Sequence, residues 1–305
     1  MLRRFVIVFV AVAVLATVGF GVFAWRPSIA KISPPPAASF PSVLVAKGAV
    51  LASAGYCAGC HTVRGGQPYA GGYAMKTQFG TIYSTNITPD PRTGIGGWSK
   101  QAFERAMRRG VRRDGAHLFP VFPYDHFSKL TDADVTALYA YFMTRPAVVA
   151  REESTTIPFP LNIRALQAGW KLLFFRPQAF VLDARQSAAW NRGAYLAEGL
   201  AQCGACHTPR GMFGAEQRAL AYAGGSIEGW VAPPLGKIDR RKAPWSHDEL
   251  VAYLSTGVSR HHGAAAGPMA AVSHSLSKLP PADIAAIATY FTARDSLAGQ
   301  AARVR

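Results

Sequence analysis

All four cysteines of the 305-residue chain fall in two copies of one pattern, Cys57-Ala-Gly-Cys60-His61 and Cys203-Gly-Ala-Cys206-His207. Thiols three positions apart stand about one helical turn from each other. Both then reach the vinyl groups on one edge of a porphyrin, and the imidazole directly after them meets the iron, which is the chemistry of c-type haem attachment. On this reading Cys57, Cys60, Cys203 and Cys206 are thioether attachments, His61 and His207 are proximal iron ligands, and the chain carries two covalently bound haem c groups. The same residue types serve other chemistries. A CxxC pair begins a zinc site and two pairs make a four-thiolate site, while a disulfide persists outside the cytoplasm. That no cysteine lies outside the two motifs favours haem.

The second axial ligand decides whether an iron is closed for electron transfer or open to small molecules, because Met/His ligation closes the site and raises its potential. Met269, in Gly267-Pro268-Met269 just ahead of the last helical stretch, is the candidate for the second haem. The matching part of the first copy, His117 to Phe127, holds no methionine. His126 stands at a similar spacing from His61 and is the expected ligand there, with His117 and Met75 in reserve and an open iron as the alternative. A histidine in such a place is as readily a core or solvated side chain.

These sites need elements to hold them. Residues 1–4 carry Arg3 and Arg4, and residues 5–25 are uncharged. Twenty or so apolar residues at about 1.5 Å each span a hydrocarbon core of roughly 30 Å. Basic residues before the span place the N-terminus in the cytoplasm and the body in the periplasm. A cleaved signal peptide ending near Val22-Phe23-Ala24 is the alternative, with an apolar region longer than usual. Residues 26–41 hold five prolines, an extended spacer expected to stand the first domain off the bilayer. The rest repeats itself. Lys129-Leu130 through Phe142 lie on Lys278-Leu279 through Phe291 at an offset of 149, and Trp98-Ser99 lie on Trp245-Ser246. Each copy reads helix, CxxCH, loop, helix, loop, terminal helix. Thr131 or Asp132 caps the first terminal helix, Pro280-Pro281 opens the second, and Val135, Leu138 and Phe142 give a buried face. The expected organisation is a transmembrane anchor at 1–25, a spacer at 26–41, domains at 42–145 and 190–305, and a connection at 146–189, all-α throughout. The apolar run Trp170 to Phe175 is too short to cross a bilayer and is expected to pack at the domain junction.

Half the residues are apolar and 16% are charged, which excludes a disordered chain. The net charge of +16 calls for an acidic partner, anionic lipid or nucleic acid, and haem sites outside the cytoplasm remove the last. The basic runs at 105–113 and Arg240-Arg241-Lys242 are candidate docking patches, or else pair with haem propionates or solvent. Trp98 and Trp245 are candidate propionate donors, with core packing as the ordinary role. Pro209 is placed to hold the His207 imidazole through its carbonyl, and Val63 replaces it in the first copy.

The segments Phe79 to Asp90, Gly97-Trp98, Leu130 to Phe142, Arg192 to Glu198, Cys203 to Arg210 and Gly267-Pro268-Met269 resemble the membrane-anchored multihaem cytochrome c subunits of periplasmic dehydrogenases. That resemblance implies two tandem class I cytochrome c-like domains behind the membrane helix. It implies electron transfer from a catalytic subunit (molybdenum hydroxylase, quinoprotein or flavoprotein) to a respiratory-chain acceptor at the cytoplasmic membrane, with no substrate chemistry on this chain. Many members carry a third CxxCH domain, which has no counterpart before Arg305, and many have Met where Phe122 stands. A dihaem peroxidase is the alternative function, since it also places two CxxCH domains in a chain of this size. A haem-based sensor is a third.

Overall fold

The computed structural model describes residues 1–235 and 244–301. The basic run Arg240-Arg241-Lys242 lies outside the described residues. A helix α1 (Leu2–Ala24) projects from the body with apolar side chains exposed along it. The first repeat follows with α2 (Ser42–Ala54), α3 (Cys57–His61), a hairpin of β1 (Ala74–Thr77) and β2 (Gly80–Tyr83), α4 (Lys100–Arg109), the single turn α5 (Tyr124–Phe127) and α6 (Asp132–Met143). The connection holds α7 (Leu166–Phe174). The second repeat has α8 (Ala188–Tyr195), which runs on through a π-helical turn at Leu196–Leu200, then α9 (Cys203–His207). A hairpin of β3 (Gly225–Ile227) and β4 (Trp230–Ala232), α10 (His247–Thr256), the ribbon β5 (Val258–Ser259) and β6 (Gly263–Ala264), α11 (Pro268–Leu276) and α12 (Pro281–Ala301) complete it. The fold is mostly helical: helices carry the cores, and among the described residues three two-stranded antiparallel ribbons stand in the loops. The ribbons turn at residues of positive φ such as Gly80 and Gly229, which helical periodicity does not register.

Each repeat is built on one helix crossing. In the first, Gly48 of α2 meets α6 so closely that an added Cβ would lie 2.1 Å from the Ala137 carbonyl oxygen. In the second, Gly193 of α8 meets α12 with the same clearance problem, 1.9 Å from the Ala286 oxygen. An ion pair brackets each crossing, Lys47 to Asp134 and Arg192 to Asp283, both at 2.7 Å. Thr131 caps α6 by accepting the Asp134 amide hydrogen, which ties the last helix of the first repeat to its loop.

The two repeats exchange contacts through one continuous core that includes Leu51, Leu138 and Phe142 of the first and Leu196, Leu200 and Ile287 of the second. Turn α5 of the first repeat packs on the 196–200 turn, and α11 of the second packs on α2. Ser53 donates to the Ser275 carbonyl at 2.9 Å across that second contact.

Residues 26–41 are extended apart from a short turn at Ala37–Ser39, yet they do not hold the first domain away from α1. Arg105 donates to the Pro27 carbonyl at 2.7 Å, Arg113 to the Ile29 carbonyl at 2.9 Å, and the Ile29 and Ile32 amides donate to Arg113 and Gly97. His117 Nε2 pairs with the Ala24 carbonyl at 2.8 Å. Arg105 of α4 and Arg113 in the loop after it satisfy carbonyls that the prolines leave without helical partners, so the segment is strapped to the domain.

Candidate haem sites

The two CxxCH segments fold alike. Each is a short helix entered by a non-glycine residue in the left-handed region, Tyr56 at φ 54° and Gln202 at φ 44°. Gly59 sits under the ring of Tyr56, where a Cβ would lie 2.1 Å from it unless the ring moved. The thiols are free. Burial pushes Cys57 and Cys203 up to about 12 and Cys60 up to about 11, so each is held as a neutral thiol. Cys60 is near enough to Cys206 for a charge on the latter to raise it further. The two motifs therefore lie side by side at the domain junction. Among the described residues the one three-member group of His, Cys, Asp and Glu with ligand atoms within 4.8 Å is Asp125, His126 and Glu216. The cysteine pairs are not gathered into a four-thiolate zinc centre.

His61 Nδ1 pairs with the Thr85 carbonyl and His207 Nδ1 with the Pro233 carbonyl, each at 2.7 Å. A carbonyl accepts only from an N–H, so Nδ1 carries the proton and Nε2 is left with its lone pair, the state an iron ligand needs. Burial lowers the pKa of both imidazoles and keeps them neutral. Two thiols one turn apart and a neutral, oriented imidazole fit haem c in both copies. The partner of His207 is Pro233, which corrects the assignment to Pro209, whose carbonyl instead accepts from the Gln217 amide. The same geometry in the first copy means that Val63 does not set the two sites apart.

A further support appears in both copies. Thr62 and Thr208 accept hydrogen bonds from the Tyr69 and Tyr222 amides at 3.0 Å, and those tyrosines stack edge-on against Phe142 and Phe291, each at 5.3 Å. Both tyrosines have positive φ. Sequence reasoning passed over these residues, although the threonine after each CxxCH was the available signal.

Met269 stands in the first turn of α11, after Gly267, which is wedged against the Trp230 ring, and is partly buried on the core. The structure places His126 against the second repeat. His126 Nδ1 pairs with the Glu198 carbonyl at 2.7 Å and Nε2 with Glu216 at 2.8 Å, and its ring lies against Gly204 of the second motif. Both nitrogens pair with groups of the second repeat. In the repeat register, the shared Ser-Lys-Leu at 128–130 and 277–279 sets His126 on Ser275, beyond Met269, and both residues sit at the exchanged contact. His117 is spent on Ala24, and Phe122 packs edge-on against Phe127. Met75 lies in β1.

Trp98 packs on the core and its carbonyl accepts from the Tyr139 hydroxyl, while Trp245 stacks on His262 at 3.8 Å. In the basic run at 105–113, Arg108 pairs with Glu104 and Asp132 and Arg112 with Asp114 and Glu152, while Arg109 is exposed. Between the two hairpins an open cleft of about 600 Å³ is lined by Tyr73, Lys76 and Glu228, with Tyr73 donating to Glu228 at 2.7 Å.

Two tandem helical repeats, each with CxxCH seated beside a glycine helix crossing, define a c-type haem protein. The chain belongs to the cytochrome c family, whose sequence profile matches residues 45–146 and 191–293. It is 51% identical to a nicotinate dehydrogenase subunit of Pseudomonas putida over 88% of this chain and 23% of that one. It is 46% identical to the fructose dehydrogenase cytochrome subunit of Gluconobacter japonicus over 84% of this chain and 53% of that one. A diheme cytochrome c-type protein of Cereibacter sphaeroides is 37% identical, over 78% and 81% respectively. The chain thus spans between about a quarter and a half of the length of the two dehydrogenase subunits.

Proposed function

We propose that this chain is a dihaem c-type cytochrome of two class I domains that passes electrons from a dehydrogenase to the respiratory chain. The donor is a periplasmic catalytic subunit of the molybdenum hydroxylase, quinoprotein or flavoprotein type. Helix α1 is a retained anchor in the cytoplasmic membrane and the two repeats stand in the periplasm. Cys57 and Cys60 hold one haem and Cys203 and Cys206 the other, with His61 and His207 as proximal ligands and Met269 closing the second site. When bound, the haem supplies one-electron redox chemistry. The chain orients each imidazole through the Thr85 or Pro233 carbonyl, and the exchanged elements α5 and α11 hold the two repeats together beside the motifs.

The observation that carries this reading is the doubled, carbonyl-oriented CxxCH pair at one domain junction. Its setting among relatives named as subunits of nicotinate and fructose dehydrogenases favours a dehydrogenase donor over the peroxidase alternative. The test is purification of the tagged chain from native membranes under mild detergent. A co-purifying dehydrogenase whose substrate reduces the c-type absorption bands is expected; a chain that isolates alone and turns over hydrogen peroxide would overturn the reading.

A further inference from the structure

Helix α7 has two unlike sides. On the inner side Trp170 and Phe175 meet Tyr124 edge-on, and Lys171 donates to the Arg109 and Gly110 carbonyls at 2.7 Å. On the other, Leu166, Gly169 and Leu173 recur at the i, i+3, i+7 spacing of one helix face. That face meets α1, because Gly169 abuts the ring of Phe20 with room for a Cβ at 3.5 Å. Leu172 and Leu173 are 63% and 71% exposed beside the contact.

The exposed surface continues into the second repeat. Met212 and Phe213, 78% and 55% exposed, form the tip of the loop that follows the second CxxCH motif. Trp170 Nε1 donates to the Phe213 carbonyl at 2.9 Å, and Phe174 packs on the Phe213 ring at 5.8 Å. Exposed apolar side chains of α7 and of the Met212–Phe213 tip therefore stand next to one another, beside the contact of α7 with α1.

Depth supplies the second argument. Phe20 lies four positions before the end of α1, roughly 6 Å along the axis at 1.5 Å per residue. An interfacial helix buries its apolar face about 5–10 Å into the boundary of headgroups and acyl chains. Helix α7 is thus docked to the anchor at the level where an interfacial helix lies. Trp25 and Arg26, which follow α1, are residue types that favour that boundary.

We propose that α7 and the Met212–Phe213 tip lie in the interfacial layer of the same bilayer that α1 spans, so that lipid covers this face. The inference rests on α1 being a retained span. It makes the molecule lie on the membrane through both repeats rather than hang from a tether, with the second haem-binding helix held beside the lipid surface.

The experiment uses the full haem-loaded chain in vesicles of phosphatidylcholine and phosphatidylglycerol. Its native cysteines are occupied by thioethers, so a nitroxide reports from Leu173→Cys, Met212→Cys, Val14→Cys in α1 or the exposed Thr256→Cys in α10. Collision with oxygen, which concentrates in lipid, is compared with collision with a water-soluble nickel chelate. The oxygen-to-nickel ratio is expected to be several-fold higher at Leu173 and Met212 than at Thr256. A lipid reading at Val14 with water-like ratios at Leu173 and Met212 overturns the seating and leaves the anchor standing. A water-like ratio at Val14 as well overturns both. Shielding of Leu173 from both reagents points to a protein partner on this face and also overturns the proposal. Both test positions are exposed, so a cysteine at either leaves the packing intact.

Discussion

Replacing Gly193 by alanine tests whether the helix crossing is what holds the second haem motif in place. The added Cβ would stand 1.9 Å from the Ala286 carbonyl oxygen and 2.9 Å from the Tyr290 Cβ. The first contact involves backbone, which no rotamer change relieves. Helices α8 and α12 must separate by roughly 1.5 Å to restore ordinary contact, loosening the Arg192–Asp283 pair at 2.7 Å and the core around Tyr290. Overpacking of this kind costs about 3 kcal/mol at the upper end of its range. The better helix propensity of alanine returns about 1 kcal/mol. The net loss is about 2 kcal/mol, or a fall of about 5 °C in Tm for a chain of this size. Gly199→Ala is the control, since its Cβ would find only ordinary contacts at 3.6 Å. Thermal and urea unfolding of the matured protein, followed by far-ultraviolet circular dichroism, measures both. If Gly193→Ala proves as stable as Gly199→Ala, the crossing is not the constraint described.

Three further outcomes are expected. Met269→Ala should open the second site, abolishing the weak sulfur-to-iron charge-transfer band and allowing carbon monoxide to bind the reduced protein; an unchanged band removes Met269 from the site. Phe122→Met should supply a thioether in the first repeat and add a charge-transfer band there, while an unaltered spectrum places that position away from the iron. The third concerns the junction pair His126 and Glu216, flanked by Asp125, Arg210 and the Lys129–Glu198 pair. Burial disfavours charge on His126, but Glu216, Asp125 and the Glu198 carbonyl together raise its pKa. Its stabilisation is therefore complete below the ordinary histidine range near about 6.5 and is lost as pH rises through the raised value. Burial likewise opposes charge on Glu216, while the His126 hydrogen bond and charge carry its pKa below the usual range. That contribution is complete above about 4.3 and is lost as pH falls through the depressed value. Stability from the pair should peak between about pH 5 and 6.5. Urea midpoints measured from pH 4 to 8 should show this peak flattened in Glu216→Gln, and an identical profile would refute the pairing.

The haem motifs were legible because their chemistry lies in five consecutive side chains, and the repeat because its terminal helices preserve order and spacing. The crossing was half legible: Gly48 and Gly193 marked the helices, but only the structure shows the carbonyls they approach. The partners of the proximal imidazoles were not, since Thr85 and Pro233 act through backbone oxygens that leave no side-chain signature. The partners of His126, Glu198 and Glu216, lie in the other repeat, and its spacing from His61 carries no sign of them. The exchange of α5 and α11 between repeats joins residues far apart in the chain, and no local pattern announces it. The proline-rich stretch was read from its conformation alone, whereas the arginines that strap it down, Arg105 in α4 and Arg113 after it, stand far along the chain.

The central claim is that both CxxCH segments are covalently loaded. Mass spectrometry of the chain matured in its native host, with peptides spanning 57–61 and 203–207 isolated, tests it most directly. The account predicts one haem added to each peptide through its two cysteines. Unmodified peptides at both positions, or a pigment that acid and organic solvent extract, would contradict it.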